Sequence, residues 1–334
     1  MIVKSVQNLM AIGLPLIATL AIAATSCGNN KTSDPLLLPT PVRTPDPTVH
    51  TGSGDRIRAI TTIYPVTFFT EQIGGDRVSV VPLVKPDGHA HIFEPTPGDL
   101  KNIVDADILI FNHPTFEMWV GRALANLEGH SLSVVQASDL PTAAEIAEHG
   151  ELDPHAEHDK FDPHVWLDPT KAIVQVRRIQ QGLSEIDRDG AIRYKTNADM
   201  LIEKLTGIDR LLAESLASCQ HDEIVVSHLA YGHLAKRYGL HQLGMTGMLA
   251  ESEAGPSRIA EIVERIKQRG IRYILQEPIS DRRLAEAVAA ETGTQVIDLH
   301  PLETLTYEQV ANREDFFSIM QMNVSNLALA LDCD

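Results

Sequence analysis

The sequence predicts an α/β fold of two lobes, each with a parallel-type β-sheet and flanking helices, joined by one long backbone helix. Two observations predict this fold. In residues 57–113, and again in residues 222–300, short β-rich runs alternate with helical segments, a pattern typical of a parallel sheet covered by helices. Between these regions lies a helical stretch that is long enough to run along both lobes.

The first lobe is predicted over residues 56–188. It begins with the β-rich run IRAITTIYPV, followed by the helical segment TFFTEQIGG and the strand VSVVPLV. After a loop, the amphipathic stretch DLKNIVDADILIFN passes from helix into strand. These runs therefore predict strands and helices in regular alternation.

The linking helix is predicted over residues 189–217, in the stretch DGAIRYKTNADMLIEKLTGIDRLLAESLASC. Its apolar residues recur mostly at steps of three and four, which places them along one stripe of a helix. These residues are Ile192, Leu201, Leu205, Ile208, Leu212 and Leu216. A helix of about 28 residues would be about 40 Å long.

The second lobe is predicted over residues 218–334. It repeats the same alternation in DEIVVSHLAYGHLAKRYGL, RIAEIVERIKQRGIRYILQEP and RRLAEAVAAETGTQVIDLH. This lobe also contains Cys219 and Cys333. An oxidising space outside the cytoplasm would permit these two cysteines to pair in a disulfide, and the alternative is that both remain thiols.

Residues 1–26 have the layout of a secretory signal peptide, with an early lysine, an apolar run and small residues before Cys27. The segment resembles a bacterial lipoprotein signal, which implies that Cys27 is lipidated and holds the protein on the membrane surface. The alternative is ordinary signal cleavage near Ala24. Residues 27–55 are dense in Pro, Thr, Ser and Gly, and we expect them to form a disordered tether.

Charge and composition limit the class of ligand. The formal net charge of −17 argues against nucleic-acid binding, because phosphate backbones are bound by clustered Lys and Arg. A negative protein also suits a cationic ligand. The chain has 14 histidines, an abundance that favours metal chemistry.

Four histidines lie where predicted strands end: His91, His164, His228 and His300. Ligand sites of α/β proteins gather at the carboxyl ends of strands, and neutral imidazole binds zinc, copper, iron or nickel. The ordinary alternative for each histidine is a hydrogen-bonded structural role. The four lack the close pair spacing of HExxH or CxxC, so spacing alone does not decide between these interpretations.

Whole sequence motifs are a more specific signal than the spacing of single histidines. They include TTIYPVTFFTEQIGGDRVSVVPLV, HIFEPTPGDLKNIVDADILIFN, DPHVWLDP, SHLAYGHLAKRYGL, IRYILQEP and HPLE, in this order. From about Ile57 to Asp332 the chain thereby resembles the cluster A-I metal-binding lipoproteins, the solute-binding subunits of zinc and manganese ABC importers. The resemblance implies that a metal ion is held in the cleft between two α/β lobes.

The resemblance also implies ligand roles for His91, His164 and His228. The third position is typically glutamate in manganese-selective relatives, so His228 indicates Zn2+ rather than Mn2+ as the transported ion. At the fourth position the matching residue is His300, which we predict as the fourth ligand. Asp298 on the same strand face, Glu277 from the LQEP motif and a water molecule are the alternatives.

The acidic stretch EHGELDPHAEHDKFD contains His149, His155 and His158 and resembles a short version of the histidine-rich loop of zinc-type relatives. It would be an auxiliary metal-binding loop, or else a solvated polar loop. His89 is a further auxiliary candidate. The predicted function is capture of a divalent metal by a monomeric, extracytoplasmic or periplasmic lipoprotein that delivers it to an ABC transporter membrane permease.

Two functions of other classes compete with this prediction. The first is a surface adhesin or interaction lipoprotein with a structural metal, because related lipoproteins have that role. The second is a zinc hydrolase with Glu94 or Glu277 as general base, although no HExxH motif or serine nucleophile elbow is present. We therefore predict that the protein is not an enzyme, and that its metal affinity falls as pH decreases through the titration range of imidazole.

Overall fold

The computed structural model describes residues 56–125, 131–141, 162–248 and 254–334. They form two sheets of four strands in which every strand pair is parallel, and helices flank both sheets. The predicted α/β fold class is thus confirmed. The predicted signal peptide, Cys27 and the tether lie outside the described residues, as do His149, His155 and His158.

The first sheet has the strand order β2-β1-β3-β4 and the second has the order β6-β5-β7-β8. The first consists of β1 (Ile57–Thr61), β2 (Val78–Pro82), β3 (Ile108–Phe111) and β4 (Ser133–Gln136). The second consists of β5 (Glu223–Val226), β6 (His241–Gly244), β7 (Tyr273–Gln276) and β8 (Gln295–Asp298). The central strands β3 (ILIF) and β5 (EIVV) are fully buried and mostly apolar, as expected for parallel strands between helices.

The described helices connect these strands or extend the layers. They are α1 (Tyr64–Gly74), α2 (Pro97–Val104), α3 (Trp119–Ala125), α4 (Pro169–Ile186), α5 (Ala191–Ser215), α6 (Gly232–Tyr238), α7 (Pro256–Arg269), α8 (Arg283–Thr292), α9 (Tyr307–Ala311) and α10 (Phe316–Ala330). Local sequence fixes several of their starts. At α2, Thr96 and Asp99 form a capping box, and Pro97 occupies the first turn, where its missing N–H costs nothing.

The predicted linking helix is α5, which has 25 residues and is about 37 Å long. Leu201, Leu205 and Leu212 are buried along its stripe as predicted. Ile192 is not, because its side chain is 85% exposed. It lies nine residues before Leu201, which is two and a half turns at 3.6 residues per turn, so it is on the opposite side of the helix from the buried stripe. The buried residue of this first turn is Tyr194 instead.

The chain ends by returning to the first sheet's helices. Helix α10 packs against α5, and Phe316 at its start contacts Phe69 of α1 with ring centroids 5.0 Å apart. Near the other end of α10, Cys333 forms a disulfide with Cys219, which follows α5. In the described part of the chain no helix combines the length and apolar character needed to cross a membrane.

The loops that follow the carboxyl ends of the strands converge between the two sheets. His91 lies on the loop after β2, His228 lies two residues beyond the end of β5, and the segment of residues 299–306 follows β8. His164 immediately precedes a 3-10 turn (Val165–Leu167) that leads into α4. Parallel sheets place their ligand sites at these strand ends.

Candidate metal centre

Four buried side chains meet between the two sheets: His91, His164, His228 and Glu303. One ligand atom from each lies within 4.8 Å of the other three. Oxygen Oε1 of Glu303 is 3.1 Å from Nε2 of His91, 3.3 Å from Nε2 of His164 and 3.3 Å from Nε2 of His228. The Nε2 atoms of His91 and His164 are 3.3 Å apart.

These separations fit a tetrahedral zinc shell. Zinc binds imidazole nitrogen and carboxylate oxygen at about 2.0–2.2 Å, so the ligand atoms of a regular tetrahedron lie about 3.3–3.6 Å apart. In addition, Nε2 of His228 is buried and accepts or donates no hydrogen bond within the described residues. A buried lone pair of this kind is costly unless a metal or proton uses it. The four residues therefore suit one divalent ion.

His164 is oriented by the residue two positions before it. The carboxylate oxygen Oδ1 of Asp162 accepts hydrogen bonds from Nδ1 of His164, at 2.7 Å, and from its backbone N–H, at 3.0 Å. The Nδ1–H tautomer leaves the lone pair of Nε2 directed at the cluster, an arrangement that recurs at histidine metal sites. The DPH motif thus supplies both the ligand and the carboxylate that orients it.

His228 is oriented in the same way by Glu277 of the LQEP motif, the residue that immediately follows β7. Glu277 Oε1 accepts a short hydrogen bond from His228 Nδ1 and another from Ser227 Oγ at 2.6 Å. Glu277, an alternative fourth ligand in the sequence prediction, therefore lies behind His228. Its carboxylate supports the histidine and is not part of the four-residue cluster.

Aromatic rings hold the remaining side of the site. The ring of His91 packs against Phe116 with centroids 4.4 Å apart, and Phe116 also contacts His164 and Trp166. The indole Nε1–H of Trp166 donates to the carbonyl oxygen of Pro301 at 2.7 Å. These contacts join the DPHVWLDP motif to the loop that carries Glu303.

Glu303 is the residue that the sequence prediction missed. It lies on the loop after β8, and its backbone oxygen accepts a hydrogen bond of 2.9 Å from the N–H of Tyr64. The resemblance matched His300, the first residue of the HPLE motif, to the fourth position, whereas the glutamate that ends this motif lies in the cluster. Because β8 ends at Asp298, the strand alternation that made Asp298 an alternative does not apply to residues 299–303.

His300 and Asp298, the other candidates for the fourth position, lie outside the cluster. Both ring nitrogens of His300 are used, since Nδ1 accepts from the N–H of Leu302 at 2.9 Å and Nε2 is 3.0 Å from Oε1 of Gln309. Asp298 forms an ion pair with Arg282, with an N···O distance of 2.7 Å. The structure therefore brings together three of the predicted histidines and places a glutamate at the fourth position.

Charge interactions perturb the pKa values of the cluster. For His228, burial opposes the charged form, but the carboxylates of Glu277 and then Glu303 outweigh it and raise the pKa to about 10. For His164, hydrogen bonds to Asp162 and Glu303 likewise overcome burial and raise the pKa. Burial would raise the pKa of Glu303, yet the neighbouring histidines hold it well below its usual range. In the absence of metal, protons on imidazole thus compensate the carboxylate.

A cleft of about 750 Å³ adjoins the cluster and is lined by residues that include His89, Ser227, Glu277 and Glu303. His89 therefore lies beside the site and outside the group of four ligand atoms. Glu94, considered as a general base, forms an exposed ion pair with Arg122 at 2.9 Å and is 66% exposed at its side chain. Glu303 thus lines the cleft and also belongs to the cluster.

Comparison with known proteins agrees with this site. The family described as "ZnuA: Zinc-uptake complex component A periplasmic" matches residues 60–330. The chain belongs to this family. The resemblance found in the sequence motifs is thereby confirmed.

Two curated relatives illustrate the family. The zinc-binding lipoprotein AdcA of Streptococcus pneumoniae (strain TIGR4) is 32% identical over 290 residues, which are 83% of this chain and 56% of the relative. The chain thus spans about half the length of that relative. The high-affinity zinc uptake system protein ZnuA of Bacillus subtilis (strain 168) is 30% identical over 328 residues, covering 94% of this chain and 96% of the relative.

Solved structures show the same fold. The Zn(II)-bound ZnuA-like domain of Streptococcus pneumoniae AdcA superposes with a TM-score of 0.72 at 32% identity, covering 83% of this chain and all of the domain. The laminin-binding protein Lmb of Streptococcus agalactiae, described as bifunctional with adhesin and metal-transporting activity, has a TM-score of 0.70 at 26% identity. It covers 83% of this chain and 100% of its own.

Proposed function

We propose that this protein captures Zn2+ outside the cytoplasmic membrane and delivers it to the membrane permease of an ABC importer. The observation that carries the proposal is the arrangement of His91, His164, His228 and Glu303, whose ligand atoms lie at separations suited to a tetrahedral ion. Zinc is the transported substrate in this account. The zinc-uptake description of the family supports it.

The composition of the site favours zinc over manganese. Three imidazole nitrogens and one carboxylate oxygen form a borderline-soft, four-coordinate shell, whereas Mn2+ and Mg2+ prefer oxygen ligands and water. The single carboxylate also offsets one of the two positive charges of the ion. The names of the zinc-binding relatives support the same ion.

The site suits binding better than catalysis. A catalytic zinc ion keeps one coordination position for water or substrate, whereas four protein ligands would fill a tetrahedral shell. The carboxylates nearest to the histidines, Asp162 and Glu277, are already hydrogen-bonded to ring nitrogens. We therefore assign the protein a transport function and no enzymatic one.

The remaining parts of the proposal concern the location of the protein. Signal cleavage before Cys27 and lipidation of its thiol would place the folded part on the outer face of the cytoplasmic membrane, with residues 27–55 as a tether. The zinc-binding lipoprotein among the relatives supports this anchor. Labelling with a radioactive fatty acid, compared between wild type and Cys27→Ala, tests it.

The binding proposal is tested by metal analysis and titration of the purified mature protein. We expect zinc to copurify at about one ion per chain, and His164→Ala and Glu303→Ala to weaken zinc binding strongly in competition with a chelator. His241→Ala is the matched control, because this histidine is exposed on β6, away from the site. Copurification of manganese, or equal zinc affinity in all variants, would refute the proposal.

An adhesin function is the second candidate, and the described bifunctional activity of Lmb favours it. The two functions differ in their dependence on the site. In a deletion strain complemented with the His164→Ala variant, we expect growth to fail under zinc limitation. If this complemented strain instead grows normally under zinc limitation but does not adhere to laminin, the adhesin function is supported.

A further inference from the structure

His300 is fully buried and both of its ring nitrogens take part in hydrogen bonds. Nδ1 accepts from the backbone N–H of Leu302, so this nitrogen has no proton. The proton is therefore on Nε2, which donates to the side-chain oxygen of Gln309 at 3.0 Å. Burial also lowers the pKa of His300. The ring is thus held as one neutral tautomer.

The bond to Leu302 stabilises an unusual backbone conformation. Leu302 has a φ of +61°, in the left-handed region that is strained for a residue with a side chain. The N–H that His300 accepts belongs to this residue, and the next residue is Glu303. A change of φ at Leu302 would turn the Glu303 side chain away from the three histidines.

The backbone of His300 is fixed as firmly as its ring. Asn323 of α10 accepts from the N–H of His300 through Oδ1 and donates to its carbonyl oxygen through Nδ2, each at 2.8 Å. Gln309 also accepts from the N–H of Thr306 at 2.9 Å. His300 therefore joins the turn at residues 300–303 to helices α9 and α10.

We propose that His300 is a positioning residue, whose Nδ1 holds the Leu302 turn in the conformation that directs Glu303 at the metal. It acts on the ion through Glu303 and does not bind the ion itself. This inference rests on the proposed function, since it concerns the affinity of the same site. It also explains why a histidine lies beside the cluster with neither nitrogen directed into it.

Two substitutions distinguish the role of Nδ1 from that of Nε2. In His300→Asn, Oδ1 lies where Nδ1 lies in histidine and keeps the acceptor for the Leu302 N–H. In His300→Gln, the terminal amide reaches the position of Nε2, and the acceptor is lost. We expect His300→Gln to weaken zinc binding about 10- to 100-fold, as loss of a supporting group at a metal site typically does, and His300→Asn to stay within about threefold of wild type.

A double-mutant cycle tests whether the effect passes through Glu303. In the Glu303→Ala background zinc is bound by three histidines, so His300→Gln should change the dissociation constant by less than about threefold. The same 10- to 100-fold loss in both backgrounds would overturn the inference. So would an affinity of His300→Asn as low as that of His300→Gln.

Further outcomes are separable in the same titrations. If wild-type protein does not bind zinc, the proposed function fails and the inference fails with it. If wild type binds zinc and His300→Gln binds equally well, the inference alone is wrong. Thermal unfolding without metal identifies a variant that does not fold. If His300→Gln does not fold, the test rests on His300→Asn. A tenfold or greater loss of zinc affinity in folded His300→Asn would contradict the proposal.

Discussion

Zinc affinity should depend steeply on pH, because the metal competes with protons for the same nitrogen atoms. Glu277 accepts the Nδ1–H of His228, so the additional proton of the charged imidazole lies on Nε2, the predicted ligand atom. The pKa of His228 is raised to about 10, and that of His164 is raised as well. At neutral pH the metal-free site therefore holds at least one proton that zinc must displace.

The size of the effect follows from the number of protons displaced. Each proton that zinc releases lowers the apparent affinity about tenfold for every unit by which pH falls. Displacement from His228 alone gives a decrease of about 100-fold between pH 8 and pH 6. Below the raised pKa of His164 zinc displaces a second proton. The slope of the logarithm of zinc affinity against pH then increases towards two. Zinc affinity therefore decreases as pH falls, and the raised pKa values of the histidines extend this competition with protons to higher pH.

Calorimetric titration in two buffers with different heats of ionisation counts the released protons directly. We expect about one proton per zinc ion near pH 8 and a larger number near pH 6. Glu277→Gln removes the charge that contributes most to the raised pKa of His228, so its proton release near pH 8 should be smaller. The control His241→Ala should match wild type. Binding without proton release and with a constant affinity from pH 6 to pH 8 would refute this reasoning.

Three further substitutions have distinct expected outcomes. Asp162→Ala leaves Nδ1 of His164 without its acceptor, so chelator competition should show zinc binding weakened about 10- to 100-fold. Cys219→Ser opens a loop of 114 residues closed by Cys333 and should lower the free energy of unfolding by about 2–5 kcal/mol in denaturant titration. In Gly182→Ala the new methyl group would clash with a valine of β4, which should cost about 1–3 kcal/mol of stability while zinc affinity stays unchanged.

Most of the fold could be predicted because it depends on patterns that local sequence carries. Alternating β-rich and helical runs identify the strands and helices, and the stripe of Leu201, Leu205 and Leu212 identifies the long helix. The prediction was wrong at Ile192, since a stripe extended across nine residues departs from the true helical face. Burial of Tyr194 depends on packing that no local pattern specifies.

The site was predictable to a smaller extent. The resemblance implied His164 and His228 through the motifs DPHVWLDP and SHLAYG; His228 also lies two residues beyond a strand end, where parallel sheets place their ligand sites. Glu303 could not be placed in this way, because its direction depends on a turn with a left-handed Leu302 rather than on strand alternation. The available signal was the HPLE motif itself, in which the glutamate is the only carboxylate.

The loop after β8 relates metal binding to the contact between the two sheets. It carries Glu303 and also bonds to the start of α1 and to the loop after β2. The backbone N–H of Tyr64 donates to the backbone oxygen of Glu303 at 2.9 Å, and the backbone N–H of Asp87 donates to that of Leu305 at 2.8 Å. Moving the backbone of Glu303 away from the three histidines therefore requires breaking these hydrogen bonds. A permease could bind the form with these bonds broken more tightly than the form with the bonds intact. The difference between these two binding free energies would then lower the zinc affinity of the docked protein. Movement of this one loop would remove the carboxylate, leave zinc with three histidines and thereby weaken its binding.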